Sequence, residues 1–296
     1  MENSIPATYE EIVNEGRRVW RILQSPLPVS LKGKVLITEG LLIKQRLGST
    51  VGDRNHHGVV QTRVLDYEVT APTLALLSYL YSEIFIDLQY FFKSDKPDPF
   101  ILDCGSNIGL SILFFKTLYP NANIMGFEPA EPTYTLLQKN IVSNGLKGVH
   151  IHQLALGAED STVDLFFDPD SEDFGSLRMS TIKNRWFSND TSTLVRQAKL
   201  SSFIDREVDF LKLDVEGAED TVLQDLVFSG AISRIEQMVV EYHHHVEKNR
   251  DAFGRFLSYL EDNGFGYQIL AWYPARVRSL RGRVFQDVQV YAYQKR

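Results

Sequence analysis

The chain has 296 residues, of which 44% are hydrophobic and 23% charged, and these proportions are ordinary for a globular protein with a hydrophobic core. Asp and Glu outnumber Lys and Arg by 38 to 31, and with a net charge of −7 and no long basic run, nucleic acid is not expected as a main partner. The single cysteine, Cys104, excludes a disulfide within the chain and favours a reducing compartment, so we expect a cytoplasmic location.

Residues 1–95 are predicted to form an N-terminal extension or cap that contributes substrate or dimer contacts. Tyr9–Leu23 has a helical rhythm, whereas Lys34–Gln45 and Val59–Val69 are rich in β-branched residues, which predicts short strands or a hairpin. Ala71–Phe92 is apolar, but two acidic residues interrupt it and its leucines recur at helical spacing. It therefore predicts a buried helix that could serve a homodimer, rather than a membrane span.

Residues 96–296 are predicted to form a second domain in which strands and helices alternate. Phe100–Asp103, Ile124–Phe127 and Val149–Leu154 have the composition of buried strands, and helical patterns at about 107–118 and 132–144 separate them. Strands separated by helices predict an α/β fold with a parallel sheet and right-handed crossovers.

The first of these strands continues into the turn Asp103-Cys-Gly-Ser-Asn-Ile-Gly109. Gly105 permits the turn, and Gly109 permits close approach of a ligand or of backbone to the following helix. A dinucleotide fingerprint requires a glycine where Asn107 stands, and no P-loop is present. The turn therefore predicts a site for a nucleotide-like ligand at the strand end, with a plain strand-to-helix turn as the alternative.

Glu128 follows the second strand and supports the ligand-site interpretation. A carboxylate at this position can accept hydrogen bonds from the two hydroxyls of a ribose. The alternative is that Glu128 caps the N-terminus of the next helix, a role that also suits a carboxylate.

The segment 157–198 interrupts the alternation and is predicted to be an insert. Thr162–Phe167 could be a strand, whereas Asp168–Asn189 is polar and loop-like, with arginines and an aromatic residue. An insert of this length in a compact domain is typical of a lid or a substrate loop.

Two further strands carry charged residues at their carboxyl ends. Phe210–Leu213 is followed by Asp214, and it contains Lys212, for which Glu241 is the best candidate partner. The fifth strand, Ile235–Glu241, leads into three consecutive histidines. Alternation places Glu241 and His243 on one face, and we expect His243 or His244 to reach the pocket, with a solvated turn as the alternative.

The remaining pattern predicts a helix over Val246–Asn263 and late strands over Tyr267–Trp272 and Val288–Tyr293. Two strands after one helix indicate an antiparallel final pair. Four arginines between residues 276 and 283 could meet an anionic substrate group.

Several of these motifs together resemble the FkbM family of S-adenosylmethionine (SAM)-dependent methyltransferases. They are Asp103-Cys-Gly-Ser-Asn-Ile-Gly109, Phe127-Glu-Pro129, Asn140-x-x-x-Asn-Gly-Leu146, Ala155-Leu-Gly157, Leu211-Lys-Leu-Asp-Val-Glu-Gly-Ala-Glu219 and Val240-Glu241. The resemblance covers about residues 99–245, and the Lys-Leu-Asp-Val-Glu-Gly-Ala-Glu run is its most specific part. The chain departs from the family at Leu200-Ser-Ser-Phe203, where the family often has Thr-Leu-Asp.

The resemblance implies a class I (Rossmann-like) methyltransferase fold, with a seven-stranded, mostly parallel sheet that contains one antiparallel strand. It also implies SAM as the methyl donor and S-adenosylhomocysteine as the product. The cofactor-binding residues that it implies are Asp103, Gly105, Asn107 and Gly109 around the methionine part, Glu128 at the ribose, Ala155 and Leu156 at the adenine, and Asp214 at the amino group or methyl.

The family frequently methylates hydroxyls of sugars or polyketides, so we expect O-methylation of a small natural product or sugar. The catalytic hypothesis is that His243 or His244 takes the hydroxyl proton, while Asp214 and Glu241 orient that histidine. Methylation of an amine or an indole-like ring is the alternative chemistry, and a non-catalytic SAM-binding partner protein is the alternative class. Asp214 and Glu241 could hold magnesium, but a metal is not expected.

Overall fold

The computed structural model describes residues 7–48, 59–168, 179–183, 191–246, 251–271 and 286–295. It divides into two compact units, Met1–Phe91 and Phe92–Arg296, which are described separately below. Among the described residues, no helix combines the length and the hydropathy that crossing a membrane requires.

The N-terminal unit contains three helices and a hairpin among its described residues. They are α1 (Ala7–Gln24), α2 (Val29–Gly48), β1 (Val60–Val64), β2 (Tyr67–Ala71) and α3 (Leu74–Tyr81). The structure confirms the predicted first helix and the antiparallel hairpin.

The strand predicted within 34–45 is wrong, because this segment belongs to α2. Leu31, Val35 and Leu42 are buried, and their spacing follows the turns of a helix. Helical periodicity therefore outweighs the local enrichment in β-branched residues.

The single helix predicted over Ala71–Phe92 is also wrong in extent. Ala71 is the last residue of β2. Thr73 then caps α3 by accepting a hydrogen bond from the Leu76 backbone N–H at 3.1 Å. A π-helical turn over Ser82–Ile86 follows α3. The apolar side chains of the segment are mostly buried. Their packing does not test the homodimer, which stays a prediction.

The C-terminal unit alternates strands and helices as the sequence predicts. Its elements are β3 (Phe100–Cys104), α4 (Leu110–Leu118), β4 (Asn123–Phe127), α5 (Glu131–Ser143), β5 (Val149–His152), β6 (Ala155–Leu156), β7 (Ser161–Phe166), β8 (Ser192–Ala198), β9 (Phe210–Leu213), α6 (Glu219–Phe228), β10 (Gln237–His244), α7 (Phe253–Asp262), β11 (Phe265–Ala271) and β12 (Gln286–Gln294).

Seven of these strands form one sheet in the order β5-β4-β3-β9-β10-β12-β11. β12 runs antiparallel to both of its neighbours, and the pairs from β5 to β10 are parallel. The predicted seven-stranded sheet with one antiparallel strand is thereby confirmed. Cys104 of β3 is in register with Leu213 of β9, so the segments that follow these strands leave the sheet side by side.

The predicted insert contains a second, three-stranded sheet of order β6-β8-β7. β7 confirms the strand predicted there, whereas β6 and β8 were not predicted. Most of the loop predicted over 168–189 lies outside the described residues. Within it, Ser180 forms an isolated bridge with Phe166.

The helix predicted from Val246 begins later, at Phe253. Val246 packs elsewhere: a Cβ on Gly217 would lie 3.1 Å from its Cγ1. The antiparallel pair β11–β12 confirms the two late strands. Trp272 and the arginine cluster between 276 and 283 lie outside the described residues.

Candidate active site

The segments that follow β3, β4 and β9 meet at the carboxyl edge of the large sheet. The backbone N–H groups of Gly105 and Ser106 both donate to the carbonyl oxygen of Phe127, at 3.0 and 2.9 Å. The Asp214 N–H donates to the carbonyl of Cys104 at 3.1 Å. The chain order of the strands reverses between β3 and β9, and ligands of open α/β sheets bind at such a switch point.

The two glycines of the turn are required by backbone geometry and by close packing. Gly105 has φ +85°, and a Cβ there would lie 1.8 Å from the carbonyl oxygen of Asp214. Gly109 has φ +88°, and its Cβ would lie 2.7 Å from Cδ1 of Leu137 on α5. The close approaches are therefore to protein atoms, and contact of either glycine with a cofactor stays a prediction.

Glu128 joins the turn to the start of α5. Its Oε2 accepts a hydrogen bond from the Asn107 N–H at 2.9 Å, while its Oε1 accepts from the Ala130 N–H at 3.1 Å and from the Thr133 hydroxyl at 2.8 Å. Burial raises the pKa of this carboxyl. Glu128 is not the N-cap that the sequence offered as the alternative, because Ala130 has that position, but it bonds to the first turn of α5 and to the turn after β3. Its contact with a ribose stays a prediction.

Asp103 is fully buried and supports the site from within. Its Oδ2 accepts a hydrogen bond from the Ser111 hydroxyl at 2.6 Å, and its Oδ1 lies 3.6 Å from Lys212 Nζ. Burial raises the pKa of Asp103, and the charge of Lys212 opposes that shift. Direct contact with a cofactor would require these neighbours to move, so this role of Asp103 stays a prediction.

Lys212 holds the ends of β3 and β9 together. Its Nζ donates to the Gly105 carbonyl at 2.6 Å and lies 3.2 Å from Asp214 Oδ2. Burial alone would lower the pKa of Lys212, but Asp214 and Asp103 outweigh it and raise the pKa above its ordinary value. Glu241, the partner that the sequence suggested, adds a weaker attraction and accepts a hydrogen bond from Gln289 at 2.7 Å.

His243 lies between two carboxylates and is almost fully buried. Its Nδ1 is 2.9 Å from Glu219 Oε1, and its Nε2 is 3.2 Å from Glu216 Oε2. Burial alone would lower the pKa of His243, but Glu219 and Glu216 outweigh it and raise the pKa well above its ordinary value. The two carboxylates favour the protonated form of the ring, which cannot accept a proton, and the role of His243 as the base stays a prediction.

His244 lies on the opposite face of β10, as strand alternation requires. Its ring stacks on His245 at 3.6 Å and lies 5.7 Å from the ring of Phe253. Burial, with the charge of His245, lowers the pKa of His244. The structure therefore brings His243, but not His244, to the face that carries Glu241, and a catalytic role of His244 stays a prediction.

Glu216 is the residue of this site to which the sequence assigned no role. It is a non-glycine residue with φ +55°, and a quarter of its side chain is exposed (25%). Burial, with the charges of Asp214 and Glu219, raises its pKa to about 7, although His243 opposes the shift. Glu216 and Glu219 both belong to the Asp-Val-Glu-Gly-Ala-Glu run, and this run was the sequence signal that could have identified Glu216.

Within the part of the chain that the structure describes, two trios of side chains have potential metal-ligand atoms within 4.8 Å of one another: Asp214, Glu216 and His243, and Glu241, His243 and Asp287. Both trios depend on His243, and a histidine must be deprotonated to bind a metal. The raised pKa of His243 opposes that state. Magnesium is possible but not expected at this site, and that stays a prediction.

Ala155 and Leu156 are buried where β6 pairs with β8 in the second sheet. Their contact with an adenine stays a prediction. At the ends of β4 and β5, the ring of His152 stacks on the buried ring of Phe127, with 5.3 Å between the centroids.

The residues of this edge fit SAM. Glu128 offers a carboxylate beside the turn, and Asp214, whose side chain is 21% exposed, offers a second one that suits an amino group. When bound, SAM supplies a methyl group on a sulfonium centre, which is already a good leaving group. The sheet order and this acidic, glycine-containing edge together define a class I methyltransferase.

The comparisons with known proteins identify the family. A family model described as a methyltransferase FkbM domain matches residues 103–267, and the chain belongs to that family of SAM-dependent methyltransferases. "Methyltransferase 1" of Beauveria bassiana (strain ARSEF 2860) is 34% identical over 54% of this chain and 72% of its own. The "31-O-demethyl-FK506 methyltransferase FkbM" of Streptomyces tacrolimicus is 28% identical over 63% of this chain and 81% of its own.

A solved structure of a methyltransferase FkbM from Methylobacillus flagellatus KT is also similar. It has 17% identity and a TM-score of 0.44, and the match covers 69% of this chain and 46% of that chain. The fold class itself rests on the strand order described above. Membership of the family favours methyl transfer over the non-catalytic alternative.

Proposed function

We propose that this enzyme transfers the methyl group of SAM to a hydroxyl of a small natural product or sugar. The observation that carries the proposal is the cluster of Asp214, Glu216 and His243 at the carboxyl edge of the sheet. A hydroxyl must lose its proton during methylation, so it needs a base, whereas an amine or an electron-rich ring needs less assistance. The name of the Streptomyces tacrolimicus relative describes an O-methyl position on its own substrate.

Three further expectations belong to this proposal. The acceptor is a small molecule, and neither nucleic acid nor a membrane is a partner, because the chain is acidic overall and lacks a long basic run. A homodimer is compatible with the proposal but not required by it. The location is cytoplasmic, in keeping with the single, buried cysteine.

The acceptor chemistry is tested by incubating the enzyme with methyl-labelled SAM and model acceptors. Methyl glucopyranoside and cyclohexanol probe hydroxyls, benzylamine probes nitrogen, and indole probes carbon. We expect label in an ether product, at a rate that EDTA does not change. Label only on nitrogen or carbon, or no transfer to any hydroxyl probe, would contradict O-methylation.

Cofactor binding is tested at Glu128, by calorimetry with SAM. Glu128→Gln removes the charge of the carboxylate at nearly constant volume, and hydrogen bonds to charged groups contribute about 1.5–3 kcal/mol, so we expect SAM affinity to fall by roughly 10- to 150-fold. The exposed Glu131, in the first turn of α5, supplies the matched control Glu131→Gln, whose affinity should not change. Wild-type affinity in a folded Glu128→Gln protein would remove Glu128 from the cofactor site.

A further inference from the structure

The backbone of Glu216 is held in a strained conformation by contacts from outside its own turn. Its φ of +55° is unfavourable for a residue with a side chain, and such strain costs of order 1–3 kcal/mol. The hydroxyl of Ser180, from the insert, donates to the Glu216 carbonyl at 2.5 Å. Strain of this kind persists where the surrounding structure fixes the residue, and it is common at active sites.

A single buried carboxylate fixes both the turn and the side chain of Glu216. Glu219 Oε1 accepts hydrogen bonds from the Val215 N–H at 3.1 Å and the Gly217 N–H at 2.9 Å, the two neighbours of Glu216 in the chain. The same oxygen lies 2.9 Å from Nδ1 of His243, whose other nitrogen faces Glu216. Glu216, which is partly exposed, is therefore positioned by the buried side chains of Glu219 and His243.

The charged groups that act directly on Glu216 are Asp214, Glu219 and His243. Beyond them, Lys212 on β9 has its Nζ 3.2 Å from Asp214 Oδ2, Glu241 shares β10 with His243, and Asp287 on β12 has its Oδ1 3.9 Å from His243 Nε2. Asp214 and Glu219 disfavour a negative charge on Glu216, and His243 favours it. Burial, together with Asp214 and Glu219, outweighs His243 and leaves a carboxyl with a pKa of about 7, the range in which a general base works best at neutral pH.

We propose that Glu216 contacts the acceptor and removes its hydroxyl proton, and that His243, Glu219 and Ser180 are positioning residues. The proposal rests on the proposed O-methylation and names the base for it. The acceptor O–H bond breaks and its proton moves to a Glu216 oxygen. The electron pair of the acceptor oxygen forms the new O–C bond, and the electrons of the sulfonium–methyl bond remain on sulfur. Glu216 returns its proton to water after the product leaves.

The test compares wild type with Glu216→Gln and Glu216→Asp, using the hydroxyl probe that turns over best. We expect Glu216→Gln to lower the single-turnover rate by roughly 10²- to 10⁴-fold, the usual contribution of a general base. The wild-type rate should fall as pH drops through about 7, because the active form is the carboxylate. Glu216→Gln should lose this pH dependence, and Glu216→Asp should retain it at a lower rate.

The matched control is Glu207→Gln, because Glu207 is exposed and precedes the amino end of β9, whereas Glu216 follows the carboxyl end of this strand. Its rate should equal that of wild type. SAM affinity by calorimetry should be unchanged in all three variants, which separates proton removal from cofactor binding and from unfolding.

A second readout needs no acceptor. In the protein bound to S-adenosylhomocysteine, carbon-13 NMR of labelled glutamate should show one carboxyl that titrates near pH 7 in wild type and is missing in Glu216→Gln. The pKa of the His243 imidazole should fall in that variant, because a neighbouring negative charge is removed. Absence of the titrating carboxyl would overturn the proposal even where no hydroxyl probe is methylated, so its failure is distinct from failure of O-methylation.

Two kinetic outcomes would also overturn the proposal that Glu216 is the base. One is a folded Glu216→Gln protein that keeps the wild-type rate and pH profile. The other is a wild-type rate that EDTA abolishes and magnesium restores, since a cation would then activate the hydroxyl in place of Glu216.

Discussion

Replacing Gly105 by alanine should lower the free energy of unfolding of the C-terminal unit by about 3 kcal/mol or more, because strain and overpacking add at this position. The new methyl group would lie 1.8 Å from the Asp214 carbonyl oxygen, which is backbone and cannot rotate away, at a φ of +85° that disfavours any side chain. Denaturant unfolding measures the change. Because Lys212 also donates to the Gly105 carbonyl, the pairing of β3 with β9 should be disturbed as well.

Gly145 offers a matched control in the same unit. It also has a left-handed φ, of +58°, but a Cβ there meets nothing within 4 Å. Gly145→Ala should therefore cost only about 1 kcal/mol, from the backbone conformation alone. Equal destabilisation of the two variants would show that the contact with Asp214 is not the cause.

Replacing Lys212 by methionine should destabilise the protein by about 3–5 kcal/mol, the usual cost of removing one partner from a buried ion pair. The side chain is 3% exposed, and its loss would leave the Asp103 and Asp214 carboxylates without their shared cation. The loss of stability should be smaller at acidic pH, because burial raises the pKa of Asp103 and this carboxyl is the first of the pair's charges to be neutralised by a proton there. Denaturant unfolding at several pH values measures both effects.

A second substitution separates the loss of the charge pair from the loss of packing. Asp103→Asn removes the buried negative charge and keeps an oxygen that can accept the hydrogen bond from Ser111. The double variant with Lys212→Met should be less destabilised than the sum of the two single variants, because no unpaired charge remains at Asp103. Additive effects would show that the two residues are not coupled.

Much of the C-terminal unit could be predicted from sequence because its strands are short apolar runs between helical patterns. β3, β4 and β9 were located to within one residue, and the chain order of helices and strands indicated a parallel sheet. Gly105 and Gly109 marked the turn because only glycine readily adopts such backbone angles. Glu128 was identified because its position after a strand is informative by itself.

Elements whose burial depends on other segments were harder to predict. Residues 34–45 contain β-branched side chains, but their helix is stabilised by the burial of one face, which local composition does not reveal. The pair His243–Glu219 joins residues 24 positions apart, and the Ser180–Glu216 hydrogen bond joins residues 36 positions apart. Such pairings depend on the folded domain, so the sequence contained no sign that Glu216 is held beside His243 and Ser180.

The position of β12 in the sheet has a consequence for how the protein is made. β12 pairs with β10 on one side and β11 on the other, although both precede it in the chain. While the ribosome is still synthesising residues 286–294, β10 and β11 each have an open edge that can pair with another chain. The chain therefore exposes unpaired strand edges to aggregation until β12 has taken its place between β10 and β11.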